Sequence, residues 1–278
     1  MWLLDYRASI ALDAARRQYT ADQVAAYDYP AAVEEILRVT NARDVQVVAH
    51  CFGSTTLVCA LLSGLENVRA AVCSQIATHI VAPTLNKVKA RLYIPSVLER
   101  LGIDTLTARA YRNERWREKL FDRALDFWPM GEEHCHSAVC HRISFLYAPL
   151  YEHDQLNALT HDAGLAEMFG VASTSMFQHL STMIRAGTVV GADGSDRYMP
   201  NAASLSLPMT FIHGAENACF LPASTERTVE VLSQYNDPKW YRREIIPNYG
   251  HIDCIFGKNA ARDVFPKILR GLAPTAVP

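Results

Sequence analysis

The sequence predicts an α/β fold in which helices cover a mostly parallel sheet, and three observations support this expectation. Apolar runs of strand length alternate with helical patterns at both ends of the chain. A sharp turn motif follows one of these buried runs. A long segment rich in aromatic and charged residues interrupts the alternation. We therefore expect a discontinuous core made of 1–82 and 205–278, with a helical cap, or lid, at 83–204.

The N-terminal part of the predicted core contains three strand-like runs. Residues 2–6 are a short apolar run, and 45–49 and 68–76 are β-branched runs typical of buried strands. A helix is predicted to begin near Pro30, because proline is favoured in a first turn and apolar residues follow it at helical spacing. A second, almost wholly apolar helix is predicted at 55–65.

The alternation resumes after the inserted segment. Strands are predicted at 207–213 and 241–246, an amphipathic helix at 223–234 and a closing helix at 259–272. Inside the insertion the pattern is helical, most clearly at 112–125.

Composition argues against several classes of function. The chain has 278 residues, of which 50% are hydrophobic and 20% charged, and its net charge is −2. Basic residues are scattered, so we expect no nucleic-acid partner. No apolar run has the length of a membrane span. The seven cysteines suggest no disulfide framework and no signal peptide is visible, which favours a reducing, cytoplasmic location.

The motif with the clearest chemistry is VVAHCFG at 47–53, between a predicted strand and a predicted helix. The α/β-hydrolases place their nucleophile at such a turn, in the pattern G-x-S-x-G. Small residues are needed two positions before and after the nucleophile, and Ala49 and Gly53 occupy those places. Cys51 stands where the serine would be. The sequence thus predicts an α/β-hydrolase fold with a cysteine nucleophile; the alternative is a buried structural cysteine.

The expected surroundings of Cys51 suggest how it would react. At a helix N-terminus its thiol pKa should be lowered, and the backbone N–H of Phe52 should point at the developing oxyanion. Attack on a carbonyl would form a thioester acyl-enzyme. His50 is a candidate substrate-binding residue, together with Met176 and Phe177, which are expected to pack the cap against the core.

The other two members of a catalytic set are expected after the last strands. His251, in a Gly-His loop, follows the strand at 241–246 and is the candidate base, because the chain order of such triads is nucleophile, acid, histidine. The acid position, three residues after Gly214, is Asn217, with Glu216 beside it. Either Asn217 orients the imidazole, as in Cys–His–Asn enzymes, or Glu216 does after a shift of one residue. A third alternative is a degenerate site.

A cluster in the cap contains residue types that bind metals. Its members are Glu132, Glu133, His134, Cys135, His136, Cys140 and His141. Their spacing matches no established zinc pattern, so we expect cap packing and no metal site. The His-Asp pairs at 153–154 and 161–162 lack evident partners in the sequence and are interpreted as polar cap residues.

The chain resembles two groups of proteins. The elbow motif and YGHID at 249–253 are similar to motifs of the acid lipases. The segments 2–7, 49–54 and 250–260 resemble the hydrolase-like C-terminal region of bacterial flavin oxidoreductases of the glucose–methanol–choline type, often labelled cholesterol oxidases. Polyhydroxyalkanoate synthases are similar at the elbow, where they also use cysteine.

The resemblance implies a lipophilic ester or thioester substrate, and a flavoprotein or a missing N-terminal region as partner. No G-x-G-x-x-G follows an initial strand, so no cofactor is expected. In the resembling fold, further strands and an oxyanion loop precede the run at 2–6; we therefore expect N-terminal strands to be missing and a sheet edge to be exposed. Two functions remain: an acyl hydrolase or acyltransferase, or a non-catalytic domain that binds a lipid or a partner chain.

Overall fold

A four-stranded parallel sheet forms the centre of the structure. The computed structural model describes residues 1–92, 105–107, 135 and 137–273. The strands are β1 (Val45–His50), β2 (Val68–Ser74), β3 (Thr105–Thr107), β4 (Val171–Ser173), β5 (Met209–Gly214) and β6 (Tyr241–Ile246). The parallel sheet has the order β1-β2-β5-β6, and β3 pairs antiparallel with β4 in a separate sheet. The predicted α/β class with a mostly parallel sheet is confirmed.

Helices connect the strands and also occupy parts of the inserted segment 83–204 that the structure describes. The α-helices are α1 (Ala21–Gln23), α2 (Tyr29–Thr40), α3 (Phe52–Leu62), α4 (Thr84–Arg91), α5 (Ala138–Leu146), α6 (Leu165–Met168), α7 (Thr174–Ala186), α8 (Ala223–Tyr235), α9 (Asp253–Phe256), α10 (Ala260–Asp263) and α11 (Phe265–Leu272). Short 3-10 or π segments lie at Asp13–Arg16, Val24–Asp28, His153–Gln155, Thr160–Gly164, Met199–Leu205 and Pro238–Trp240. None of the helices described combines the length and the apolar character that crossing a bilayer requires. The helix predicted at 112–125 lies outside the described residues.

Two apolar clusters cover the two faces of the sheet. Successive side chains of a strand point to opposite faces, so Ala71 and Cys73 of β2 join the cluster that contains α3, whereas Val72 packs with α11. Helix α3 is buried from Ser54 to Leu62, and its apolar side chains contribute roughly 1.5–3 kcal/mol each through burial. This burial fixes the start of α3, and therefore the turn before it, against the sheet.

The N-terminal segment differs from the prediction. Residues 2–6 form no strand, so that prediction is wrong, and no strand precedes β1 in the described part of the chain. The segment is instead held by an ion pair between Arg7 and Asp28 at 2.6 Å. The outer edge of β1 has no partner strand among the described residues, and Val48 is 44% exposed. Among the described residues β1 is therefore an edge strand, and the expectation that N-terminal strands are missing stays a prediction.

The predicted closing helix at 259–272 is divided. Helix α10 ends at Asp263 and α11 begins at Phe265, with Pro266 in its first turn. Proline has no N–H to donate to the preceding turn, so the hydrogen-bond ladder is interrupted at this point. A separate short helix, α9, follows the His251 loop directly.

The carboxyl ends of the parallel strands meet at one edge of the sheet, and the loops after β5 and β6 touch there. A Cβ atom on Gly214, at the end of β5, would overlap the carbonyl oxygens of Tyr249 and Gly250. By contrast, a Cβ atom on Gly53 would lie 3.7 Å from the hydroxyl of Tyr29, in ordinary contact. Glycine is therefore required at position 214, beside the loop that contains His251, whereas position 53 in the elbow has room for a methyl group.

This difference predicts unequal effects of two alanine substitutions. Gly214→Ala should lower the free energy of unfolding by about 1–3 kcal/mol or more, because backbone must move to admit the methyl group. Gly53→Ala, the matched control in the first turn of α3, should leave the free energy of unfolding unchanged or raise it by up to about 1 kcal/mol, because alanine is the better helix former. Chemical denaturation of both variants measures the difference. Equal effects would contradict the close approach of the two loops.

Candidate active site

Cys51 lies at a strained turn between β1 and α3. Its backbone has φ 54° and ψ −128°, and it is the N-cap residue of α3. Its N–H donates to the carbonyl of Ser74 at 3.0 Å, which ties the turn to the end of β2. A non-glycine residue in this region costs about 1–3 kcal/mol and persists only where its surroundings hold it. The structure thus places the cysteine in the sharp strand–turn–helix geometry of a nucleophile elbow.

The thiol of Cys51 is neutral at pH 7. Burial raises its pKa to about 12, and the backbone N–H of Phe52, which favours the thiolate, offsets only part of this effect. The prediction of a lowered pKa at the helix N-terminus is therefore wrong. The free energy needed to remove the thiolate from water is larger than the stabilisation that the Phe52 N–H group and the helix N-terminus give it.

His251 lies in the loop that follows β6 and is completely buried. Its N–H donates to the carbonyl of Leu150 at 3.0 Å, and its carbonyl accepts from Nε2 of Gln75 at 3.0 Å. Burial, then the charges of His50 and His213, hold its pKa well below the usual range. The imidazole is therefore neutral, and its Nε2 atom makes no hydrogen bond to the described residues.

Of the two alternatives for the third residue, the structure places Asn217 against His251. Nδ2 of Asn217 is 3.0 Å from Nδ1 of His251, and Asn217 is buried. Glu216 is exposed, and its backbone N–H donates to the carbonyl of Tyr249. The orienting contact therefore comes from an amide, with no carboxylate in its place.

The orientation of the Asn217 amide is fixed by its backbone neighbours. Oδ1 accepts hydrogen bonds from the N–H groups of Cys219 at 2.9 Å and Phe220 at 3.0 Å. Only an oxygen accepts two N–H donors, so the other amide atom, which faces His251, is the NH2 group. Its second hydrogen is directed to Oε1 of Gln75 at 2.8 Å.

This arrangement determines the tautomer of His251. The amide NH2 donates to Nδ1, so Nδ1 must carry the lone pair and Nε2 must carry the hydrogen. Nε2 of His213 is also 3.2 Å from the amide nitrogen, but it is 3.0 Å from the carbonyl of Phe220, to which it donates. A histidine base that accepts a proton at Nε2 needs the opposite tautomer. The resting site therefore holds its base candidate in the unreactive form.

Cys51 and His251 share one apolar pocket of 390 Å³. The predicted substrate-binding residues His50, Met176 and Phe177 all line it. His50 is held by Oγ of Ser74, 3.1 Å from its Nδ1, and burial lowers its pKa to about 4. Its ring lies 5.0 Å from that of His251. The structure therefore brings the predicted nucleophile, histidine and pocket residues together.

Several residues of the site are absent from the sequence prediction. Gln75 connects Asn217 to the backbone of His251, and it has a positive φ of 81° directly after β2. Its place at the carboxyl end of a parallel strand is the indication that could have identified it. Tyr6 and Tyr147 also line the pocket, but no local pattern in their sequence surroundings predicts this.

The strained turn predicts an inverted order of stability for substitutions at Cys51. Cys51→Gly should be more stable than Cys51→Ala by about 1 kcal/mol, because glycine adopts a positive φ without steric cost. At Cys59, inside α3, the order should be the ordinary one, with alanine the more stable. Thermal and denaturant unfolding of the four variants measures this. A less stable Cys51→Gly would mean that the turn is unstrained.

Comparison with known proteins gives one sequence relative and several structural ones. No protein-family model matches the chain. The chain is 23% identical over 266 residues to the lipase lipl-3 of Caenorhabditis elegans, and the match covers 91% of this chain and 64% of the length of that lipase. The resemblance to glucose–methanol–choline oxidoreductases stays a prediction.

Solved structures align along most of the chain. The enol-lactonase of Burkholderia xenovorans is 15% identical, with 92% of this chain and 74% of that chain covered and a TM-score of 0.49. A thermophilic esterase of Thermogutta terrifontis is 10% identical, with 93% and 75% covered and a TM-score of 0.48. The parallel strand order, the elbow at Cys51 and the histidine loop after β6 together identify the fold as that of the α/β-hydrolases.

Proposed function

We propose that the chain is an acyl hydrolase or acyltransferase that acts on a lipophilic ester or thioester, with Cys51 as the nucleophile. The observation that carries this proposal is the strained backbone of Cys51, at the wall of an apolar pocket that His251 also lines. Such strain is typical of nucleophile elbows and gives no benefit to a merely structural cysteine. The similarity to a lipase supports a lipophilic acyl substrate.

The proposed reaction begins with attack of the Cys51 sulfur on the substrate carbonyl carbon. The C–S bond forms, the carbonyl electron pair moves to oxygen, and the thiol proton passes to Nε2 of His251. The N–H of Phe52 stabilises the oxyanion. The carbonyl then re-forms as the bond to the alcohol or thiol leaving group breaks, and His251 gives that group its proton. Water or an alcohol attacks the thioester carbonyl and passes its proton to His251, and the C–S bond breaks, which releases the acyl group and returns the proton to Cys51.

Proton transfer to Nε2 requires the other tautomer of His251. The amide of Asn217 would have to rotate so that its oxygen accepts from Nδ1–H. Rotation directs the NH2 group at the backbone N–H groups of Cys219 and Phe220, and each donor without a partner costs about 1–3 kcal/mol. The proposed enzyme is therefore slow unless substrate binding reorganises this network.

The pocket sets the class of substrate. Its volume of 390 Å³ lies within the range of about 300–1,000 Å³ found for small-molecule sites. Apolar and aromatic side chains from the core, the cap and the N-terminal segment line most of it, including Ile10, Leu146 and Phe169. An acyl chain would bury its hydrocarbon there, with the carbonyl group at Cys51. The proposal includes a cap at 83–204 that covers a core made of 1–82 and 205–278. It also includes a flavoprotein as a candidate partner.

The second candidate function is a non-catalytic domain that binds a lipid or a partner chain. The amide hydrogen aimed at His251 and the neutral, desolvated thiol favour this candidate. Both candidates use the same pocket, and they differ in whether Cys51 is acylated.

Asn217→Asp should distinguish them. A carboxylate keeps the acceptor for Cys219 and Phe220 and presents a second oxygen to Nδ1–H, so it favours the reactive tautomer of His251. The rate at which a lipophilic β-lactone probe acylates Cys51 should rise by about 10- to 1,000-fold, below the roughly 10⁴-fold effect of the reverse change in a serine protease. The opposed oxygen of Gln75, 2.8 Å from the substituted atom, limits the gain.

The labelling experiment has matched controls. Glu216→Gln, an exposed neighbour, should leave the rate unchanged, and labelling should disappear in Cys51→Ala and His251→Ala. Intact-mass spectrometry follows the adduct with time. If Cys51 is labelled in neither the parent chain nor Asn217→Asp, the acyl-transfer proposal is refuted and the lipid-binding candidate remains.

A further inference from the structure

Two cysteines and two histidines of the cap converge away from the Cys51 pocket. The ligand atoms of Cys135, Cys140, His153 and His161 all lie within 4.8 Å of one another. Nε2 of His161 is 3.4 Å from Sγ of Cys135 and 3.7 Å from Sγ of Cys140. Nε2 of His153 is 3.3 Å from Sγ of Cys140. Four potential ligand atoms therefore lie close enough together to share one ion.

These distances are close to those of a tetrahedral zinc site. Zn–S bonds of about 2.3 Å and Zn–N bonds of about 2.0–2.1 Å place sulfur and nitrogen ligands roughly 3.6 Å apart at tetrahedral angles. The three S–N separations of the cluster, 3.3, 3.4 and 3.7 Å, lie on both sides of this value. A metal ion would need only small side-chain adjustments.

The neighbours of the cluster orient its donors. Nδ1 of His161 is 2.7 Å from the carboxylate of Asp162, so Nδ1 carries the hydrogen and Nε2 presents its lone pair to the sulfur atoms. A carboxylate behind a histidine is the usual outer partner of a metal ligand. The hydroxyl of Tyr151 is 2.6 Å from Sγ of Cys140, where it can donate to a thiolate.

We propose that Cys135, Cys140, His153 and His161 bind one Zn²⁺ ion as a closed, structural site. Two thiolates and two imidazoles form a set that suits zinc, and four protein ligands leave no position for substrate. Binding forms two Zn–S and two Zn–N bonds and releases the proton of each thiol to solvent. The proposed ion takes no part in the bond-forming steps proposed for Cys51.

From the sequence alone, Cys135 and Cys140 belong to a cluster for which no metal site is expected, and His153 and His161 are interpreted as polar cap residues. The ligands are spaced C-x4-C-x12-H-x7-H, in which the cysteine pair matches common zinc spacing but the histidine pair is longer. Nε2 of His141 is 2.5 Å from the carbonyl oxygen of Cys135, so His141 is engaged elsewhere. Glu132, Glu133, His134 and His136 lie outside the described residues.

The proposed ion would fix the cap to the histidine loop. Its ligand His153 is adjacent to the segment whose Leu150 carbonyl accepts the N–H groups of His251 and Ile252. Gln155 also bonds this loop, through Nε2 to the carbonyl of Asn248 at 2.7 Å. Zinc would therefore hold in place the backbone contacts that position His251.

Metal analysis of the full chain tests the proposal. The chain, purified under reducing conditions without chelator or histidine tag, should contain one zinc ion per molecule, as measured by inductively coupled plasma mass spectrometry. Replacement by Co²⁺ should give the visible d–d bands of a tetrahedral site and thiolate-to-cobalt charge-transfer absorption. Removal of the metal should lower the melting temperature, and added Zn²⁺ should restore it.

Variants locate the ion. Cys135→Ser and His161→Ala should lose the charge-transfer intensity or the metal, whereas Cys51→Ala and His79→Ala, outside the cluster, should retain both. If a variant fails to fold, the metal content and the cobalt spectrum of the parent chain still test the proposal. A folded, reduced parent chain that binds neither zinc nor cobalt overturns the proposal, as does an unchanged cobalt spectrum in Cys135→Ser and His161→Ala.

Discussion

The Asn217 amide is the interaction on which the rest of the site depends. Its oxygen closes the loop after β5 through two backbone N–H groups, and its NH2 group bonds both Gln75, at the end of β2, and His251, after β6. One side chain thus ties together the carboxyl ends of three strands. Because every hydrogen-bonding atom of the amide is used, its orientation has little freedom, and this orientation determines where the hydrogen of the imidazole resides.

Burial keeps the reactive groups of this site uncharged. The pKa of Cys51 is raised to about 12 and that of His50 is lowered to about 4, both by desolvation. Because the pKa of His50 is lower in the folded chain than in the unfolded chain, protonation favours unfolding. Stability is therefore full above a pH of about 6.5 and is lost as the pH falls towards about 4. The site is thus a largely apolar pocket with neutral reactive groups and with strain stored in the backbone of Cys51. The chemistry proposed for it requires proton transfer without a resting ion pair.

The sequence predicted the elements that local patterns specify. β-branched runs and the elbow motif located β1, β2 and α3, since strand burial and the close strand–helix turn require particular residue types. It failed where the outcome depends on contacts distant in sequence. Residues 2–6 have strand-like composition but pair with no strand of the described sheet. The raised thiol pKa, the role of Gln75 and the convergence of His153 with Cys140 all follow from packing, which no local pattern encodes.

The tautomer of His251 can be measured by nuclear magnetic resonance. Long-range ¹H–¹⁵N correlation of the imidazole rings at neutral pH distinguishes a protonated Nε2 from a protonated Nδ1, and loss of the signal in His251→Ala assigns it. We expect hydrogen on Nε2 in the parent chain and on Nδ1 in Asn217→Asp. Hydrogen on Nδ1 in the parent chain would contradict the account, because it would mean that Asn217 presents its oxygen to His251 and that the site rests in the reactive form.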